Sequence, residues 1–331
     1  MMHRTLSASA SPSPTQRQAV AAQRRRALLI TGGSGPERRG SLASAVDVAA
    51  ALEQLGVEST VCDLDDLDHA ALAEHDLAFL AIHGWYGEDG KLQGLLELAA
   101  LPYNGSGVAA SAVAMHKPLC NRVAAEAGLA VPRWIVLTPQ RCDAELLERF
   151  GGRVFVKPAS GGGSLDAGVV GDVDELRSRC DAACAQGIEL LACEHIAGID
   201  VSVGIVECDG APRVLPELAT RHDAEFYDYA VKHDASRRRH ECPSRLDAPV
   251  VQSLREQSLR MYRALGCRGY MRADFIVDAD GRAWFLEVNT LPGLSRAGNL
   301  ATMAAAAGWI YTELIDHILA TIPPRCTSYR P

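Results

Sequence analysis

Apolar residues along the chain fall into short runs separated by glycine-rich and polar turns. Ala27-Leu-Leu-Ile30 is one such run, continuous and apolar, the pattern of a parallel strand covered on both faces. It leads into Thr31-Gly-Gly-Ser-Gly-Pro, a turn cluster. Leu42, Val46, Ala49, Leu52 and Leu55 then recur at helical spacing and predict an amphipathic helix with that face buried and Ser41 as its N-cap. Further strands are predicted at Ser59–Cys62 and at Leu77–Ile82, which ends at His83-Gly84. Strand, loop, helix, strand, strand reads as an open α/β unit, in which ligands gather beyond the strand C-termini. Gly32, Gly33, Glu37 and His83 fall there.

A middle block runs from about Lys117 to Ile199. Val154-Phe-Val156 predicts a strand entering Lys157-Pro-Ala-Ser-Gly-Gly-Gly-Ser164, and Glu189–Glu194 predicts another. The last block carries strand predictions at Val201–Val206 and Arg213–Leu218, a polar stretch at His222–His240 and a helix at Val250–Leu265. Two strands follow, Met271–Val277 and Arg282–Val288, around Asp278-Ala-Asp-Gly281.

Composition narrows the classes. At 331 residues and 48% hydrophobic, the chain is long enough for two or three domains and too apolar to be disordered. No run of about 18 apolar residues occurs, so no membrane-spanning helix is expected. The balance of 33 Lys+Arg against 41 Asp+Glu, net −8, excludes a general basic field for nucleic acid. Ten cysteines without a C-x-x-C fit reduced thiols in a cytosol better than a disulfide framework. Residues 1–26 hold no acidic residue and lack the apolar core of a signal peptide. They read as a disordered extension, although a basic Ser/Arg-rich leader also resembles an organellar transit segment.

Three pieces carry candidate chemistry. If residues 278–281 close a symmetric hairpin, Arg272 lies opposite Glu287, with Asp274 diagonal to it. Period-two alternation then puts Arg272, Asp274, Glu287 and Asn289 on one face. Two carboxylates buried together are costly without a cation, and Asp, Glu and Asn oxygens suit Mg²⁺. A solvated face with cross-strand salt bridges fits the pattern equally well. The second piece is Lys157 ahead of the glycines, which can set a cation on a phosphate. No G-K-[ST] follows, so it is not a P-loop, and a mobile surface loop is the competing reading. The third is His83-Gly-Trp-Tyr-Gly-Glu-Asp-Gly90, where a histidine at a strand end is more often a structural hydrogen-bonder than a ligand contact.

Taken in order, seven stretches resemble the ATP-grasp superfamily and, within it, the D-alanine–D-alanine ligases. They are Gly32-Gly-Ser-Gly-Pro-Glu37, His83 through Gly94, Leu101-Pro-Tyr-Asn-Gly-Ser-Gly107, Lys157-Pro158, Phe226-Tyr-Asp-Tyr229 with Lys232, Leu265-Gly-Cys-Arg-Gly269, and Arg272 through Leu286-Glu-Val-Asn-Thr-Leu-Pro-Gly293. The resemblance covers about residues 27–320. It implies a three-domain α/β and α+β fold, with an N-terminal open parallel α/β substrate domain at 27–116. A central ATP-grasp lid domain at 117–199 and a C-terminal catalytic domain at 200–331 would grip ATP between them. Lys117, Lys157, Ser164 and Lys232 would contact nucleotide phosphates, Glu194 and His195 the adenine hinge, and Asp200 the ribose. Asp274, Glu287 and Asn289 would hold two Mg²⁺, with Mn²⁺ as a substitute. Glu37 would anchor the ammonium of the first amino acid. Arg272 would steady the oxyanion. His83, Gly293, Asn299 and Leu300 would complete the substrate sites. Ser164, Lys232 and His233 would sit among the catalytic groups.

Where the sequence departs from the family, substrate rather than reaction class is at stake. Gly163 stands for a flap serine, Asp166 for a glycine, His233 for a tyrosine after the loop lysine, His116 for an aspartate and Asn299 for a serine. Members that make D-alanine–D-lactate also lack that tyrosine. The expectation is an ATP-dependent ligase joining two D-alanines through an acyl phosphate for cell-wall peptidoglycan, cytoplasmic and homodimeric, acting on small molecules with no nucleic-acid or membrane partner. A D-alanine–D-lactate-type or natural-product dipeptide ligase is the alternative on the same fold. A non-catalytic ATP-binding regulator is the alternative from another class.

Overall fold

The computed structural model describes residues 26–162, 167–222 and 237–325. Strands β1 (Arg26–Thr31), β2 (Glu58–Asp63) and β3 (Leu77–Leu80) form a parallel sheet in the order β2-β1-β3. The apolar run Ala27–Ile30 is fully covered, as its lack of alternation requires. Helix α1 (Arg38–Gln54) joins β1 to β2 and buries only part of the predicted stripe, with Leu52 covered and Ala49 and Leu55 packed on the core. Leu42 is 40% and Val46 72% exposed, while Ser41, Ser44, Ala45, Val48, Ala51 and Leu52 face inward. Small residues permit close packing there, and the serine hydroxyls find partners. Ser41 Oγ accepts the His83 amide at 3.0 Å, and Ser44 Oγ accepts the Leu294 amide at 3.2 Å. Ser41 is therefore inside the helix rather than its cap, a position taken by Glu37.

Helices α2 (His69–Glu74), α3 (Lys91–Leu98), α4 (Val108–Met115) and α5 (Lys117–Glu126) precede a second, antiparallel sheet. That sheet has the order β4-β7-β5-β6, from β4 (Trp134–Val136), β5 (Val154–Pro158), β6 (Gly168–Val170) and β7 (Leu190–Glu194). Helices α6 (Ala144–Arg149) and α7 (Val173–Ala185) supply Leu146, Leu147, Leu176 and Cys180 to its core.

The third sheet runs β11-β10-β8-β12-β13, with β9 also on β8. Its strands are β8 (Ile199–Cys208), β9 (Ala211–Val214), β10 (Leu218–His222), β11 (Arg238–Glu241), β12 (Tyr270–Val277) and β13 (Ala283–Asn289). The single strand predicted at Arg213–Leu218 is broken into β9 and β10 around Pro216, which has no amide to give the ladder. Charged β11 arises inside the predicted polar stretch and forms an edge, where Arg and Glu are tolerated.

Two packing facts place the site. Helices α4, α5 and α8 (Ala248–Leu265) share a core with the third sheet, where Ala114, Cys120 and Ala124 meet Met271 and Phe285. A division drawn at residue 117 thus separates two helices of one core. Helices α9 (Asn299–Ala306) and α10 (Tyr311–Ala320) fill the space between the third sheet and the N-terminal unit. Helix α9 packs on β8 and β10, where Met303 Sδ accepts the Gly204 amide at 3.2 Å, and α10 packs on β8 and α1, in one core with Leu28, Val48 and Leu52. Among the described residues the cysteines are unpaired thiols, and no helix is long and apolar enough to cross a membrane.

Candidate active site

The β12–β13 hairpin does not take the predicted register. Five loop residues, 278–282, bring Val277 opposite Ala283 and Phe275 opposite Phe285. Continued unchanged, that register would set Ala273 against Glu287 and turn the carboxylates to opposite faces. A bulge intervenes between Asp274 and Phe275, with Leu286 the extra residue. Asp274 then lies directly opposite Glu287 and Arg272 opposite Asn289. The longer loop and the bulge cancel in parity, so the four polar side chains still share one face.

On that face Arg272 grips Asp274 with two nitrogens, Nε at 2.8 Å from Oδ1 and Nη2 at 2.7 Å from Oδ2. Ser202 of β8 donates to Oδ1 at 2.6 Å, and Asn289 Nδ2 donates to Oδ2 at 3.0 Å. Burial alone would loosen the Arg272 proton, but Asp274, Glu287 and Glu88 outweigh it and hold its pKa above the ordinary value. Ser202 was absent from the sequence reading. Its signal was the polar alternation Asp200, Ser202 in the otherwise apolar β8.

Lys117, the first residue of α5, reaches the same place. Its Nζ donates to Gly161 O at 2.5 Å and stands 3.9 Å from Glu287 Oε2. Burial lowers its pKa, against the pull of Glu287 and with the push of Lys157 at the end of β5. His116 caps α5 by accepting the Leu119 amide through Nδ1 at 3.4 Å, so the departure from aspartate keeps a capping group.

From the parallel sheet come Glu37, His83 and Glu88. The Glu37 carboxylate lies over Gly84, where a Cβ would collide with it, and a Cβ on Gly162 would stand 3.0 Å from Oε2. Gly84 also has φ +74°, so glycine is demanded twice over. His83 Nδ1 is 2.8 Å from Leu291 O, which can only accept, so that nitrogen carries the proton. Nε2 then accepts from Ser44 Oγ at 2.9 Å. Both ring nitrogens thus face protein groups, and the geometry makes His83 a tether between α1 and the segment after β13. Gly293 lies beside it, its Cβ position 4.0 Å from Nε2.

The remaining predicted residues are more scattered. Glu194 ends β7 and pairs with Arg133 at 3.0 and 3.1 Å, a hydrogen-bonded contact that holds its pKa below the ordinary value. His195 follows it. Asp200 lies 2.9 Å from His222 Nε2. Asn299 and Leu300 open α9, but the Leu300 side chain is buried in the core, leaving only its backbone for a ligand. Gly163, Ser164, Asp166, the 226–229 stretch, Lys232 and His233 lie outside the described residues, as does most of the polar stretch at 222–240.

Glu88, one of the two acids in the His83–Gly90 loop, is buried at 7% exposure. It accepts the Gly84 amide at 2.8 Å and the Leu291 amide at 3.0 Å, one per oxygen. Burial, then the Glu37 charge, push its pKa from 4.5 up to about 7. A carboxyl whose folded pKa is raised costs stability as it ionises, so stability should fall as pH rises from about 4.5 through about 7. The loss amounts to about 3 kcal/mol for a shift of this size. Glu88→Gln is expected to flatten that window while costing about 1 kcal/mol overall for one stranded backbone amide. Melting temperatures of both proteins from pH 5 to 8, without ligand, would test this; parallel curves would refute it.

A narrow cleft opens among these groups, lined by Gly84, Glu88, Lys117, Gly161, Gly162, Glu287, Asn289 and Thr290. Among the described residues no group of three or more His, Cys, Asp and Glu side chains is gathered for a metal. The candidate set is two carboxylates and an amide, hard oxygen donors that suit a small cation sharing its shell with phosphate.

A family model described as "D-ala D-ala ligase C-terminus" matches residues 123–320, and one described as "D-ala D-ala ligase N-terminus" matches residues 63–106. The chain is 39% identical over 302 residues to the D-alanine–D-alanine ligase of Trichlorobacter lovleyi, covering 89% of this chain and 94% of that one. It belongs to the D-alanine–D-alanine ligase family. Family members in Oleidesulfovibrio alaskensis and Geobacter sulfurreducens, also D-alanine–D-alanine ligases, are 39% and 37% identical over 89% and 88% of the chain. The D-alanine–D-alanine ligase of Bacillus anthracis complexed with ATP superposes with a TM-score of 0.76 at 32% identity, over 90% of this chain and 97% of that one. The fold of the family, an ATP-grasp arrangement with an N-terminal parallel α/β unit, is thus the fold of this chain.

Proposed function

We propose that this chain is an ATP-dependent ligase that joins two molecules of D-alanine, releasing ADP and phosphate. The single-faced cluster of Arg272, Asp274, Glu287 and Asn289, set against Lys117, carries the reading. A carboxylate is a poor acylating agent because its leaving group would be oxide. Transfer of the γ-phosphoryl gives an acyl phosphate, whose leaving group is phosphate. Lys117 and Lys157 hold the nucleotide phosphates. Asp274, Glu287 and Asn289 hold Mg²⁺, which supplies positive charge to the phosphoryl oxygens when bound. Glu37 anchors the first ammonium, the second amine attacks the acyl carbon, and Arg272 meets the oxyanion. Glu194, His195 and Asp200 take the nucleoside, with Arg133 and His222 as their present partners.

The relatives favour dipeptide over depsipeptide synthesis, and retention of Arg272 with both carboxylates disfavours a binding-only regulator. A homodimer through the N-terminal unit fits the exposed Leu42 and Val46 of α1. A cytoplasmic enzyme of peptidoglycan precursor synthesis fits the unpaired thiols. The test supplies ATP, Mg²⁺ and D-alanine, with and without D-lactate, at about pH 6 and pH 8, where a histidine changes charge. D-Alanine alone should yield ADP and dipeptide in equal amounts. No ADP at either pH would sink the proposal.

A further inference from the structure

Trp85 sits at the lip of the cleft, outside every role assigned above. Its indole edge rests on Gly161, where a Cβ would stand 3.4 Å from Nε1 and 3.5 Å from Cζ2. Gly161 has φ +99° and is gripped on its other sides as well. Its carbonyl receives the Lys117 ammonium at 2.5 Å, and its amide meets Met115 Sδ at 3.3 Å. Its neighbour Gly162 lies against the Glu37 carboxylate. Lys117 and Met115 belong to the helices packed on the third sheet. Trp85 reaches the same turn from the N-terminal unit.

The indole is held in place by its own loop. Tyr86 takes φ 67°, a left-handed conformation that costs a non-glycine residue about 1 kcal/mol. Asp89 accepts the amides of Tyr86 and Lys91, each at 3.1 Å. Lys91 Nζ lies 2.9 Å from Asp89 and over both rings, 5.4 Å from Trp85 and 4.9 Å from Tyr86. Each such cation–ring contact is worth about 0.5–1 kcal/mol at an exposed site. Trp85 is 41% exposed, so its ring lies between the Lys91 ammonium, which its own loop anchors, and Gly161.

We propose that Trp85 is a positioning residue that seats Gly161 and Gly162 over Glu37, so that the activated first substrate meets the second amine rather than water. The proposal rests on the ligase reading above. In the side reaction, water oxygen attacks the acyl carbon, the bond to the phosphate oxygen breaks, and amino acid and phosphate leave. ATP is then spent with no dipeptide formed.

The readout is the ratio of phosphate released to dipeptide formed at saturating D-alanine. It should be about one in the wild type and rise at least about two-fold in Trp85→Ala, because the site admits water. Trp85→Phe keeps a flat aromatic edge and should return the ratio to near the wild-type value. Should Trp85→Ala not fold, Trp85→Leu carries the same measurement. A merely structural role would lower rate and melting temperature but leave the ratio unchanged, and that result overturns the proposal. A wild-type protein that releases no phosphate with D-alanine defeats instead the functional reading beneath it.

Discussion

Replacing Arg272 by alanine is expected to lower dipeptide turnover by about 10²–10³-fold, the usual loss when one oxyanion donor is removed. The side chain is ready for that role because its geometry is fixed beforehand. Asp274 holds it by two nitrogens, and neighbouring carboxylates keep it charged despite burial. ATP binding should survive, since Lys117 and Lys157 remain. Arg272→Lys should recover only part of the rate, because an ammonium cannot make the two-pronged contact with Asp274. Turnover measured beside equilibrium binding of ATP separates these effects. A turnover within about ten-fold of wild type, or an ATP affinity that falls in step with rate, would remove Arg272 from the chemistry.

Glu287→Gln should cost about 10³-fold in turnover, or about 4 kcal/mol of transition-state stabilisation. It keeps the shape of the side chain and removes one charge from the oxygen set. The bulge at Leu286 places Glu287 directly across from Asp274, and like charges in that position repel. Glu287 also stands 3.9 Å from the buried Lys117 ammonium and helps keep Arg272 charged, so without magnesium the variant should melt no higher than wild type. Added magnesium and nucleotide should stabilise it less than they do the wild type, because ligand stabilisation follows affinity for the folded state. A variant that is inactive yet stabilised by magnesium and nucleotide as much as wild type would place Glu287 outside the ion-holding set.

The parallel sheet and the hairpin strands were legible because each has one dominant periodicity. Ala27–Ile30 is apolar throughout, and Arg272–Val277 alternates. Register was not legible. Nothing in Asp278-Ala-Asp-Gly281 announces a five-residue loop, and Leu286 carries no mark of a bulge, yet together they set Asp274 directly opposite Glu287 rather than diagonal to it. On α1 the hydrophobic stripe held at Ala49, Leu52 and Leu55 but misled at its start, where hydrogen-bonded serines and small residues face inward while Leu42 and Val46 remain exposed. Ser202 went unmarked, and Glu88 and Trp85 were read only as members of the His83–Gly90 loop, for a different reason. Their roles come from partners distant in sequence, such as Asp274, Leu291 and Gly161.

The core beneath α1 is closed by α10, which α9 links to the third sheet, and both helices come from far later in the chain. On a ribosome the first strands would emerge long before those helices exist, leaving Leu28, Val48 and Leu52 half-covered. Full burial of that face of α1 is therefore tied to the arrival of residues made much later than the strands it covers.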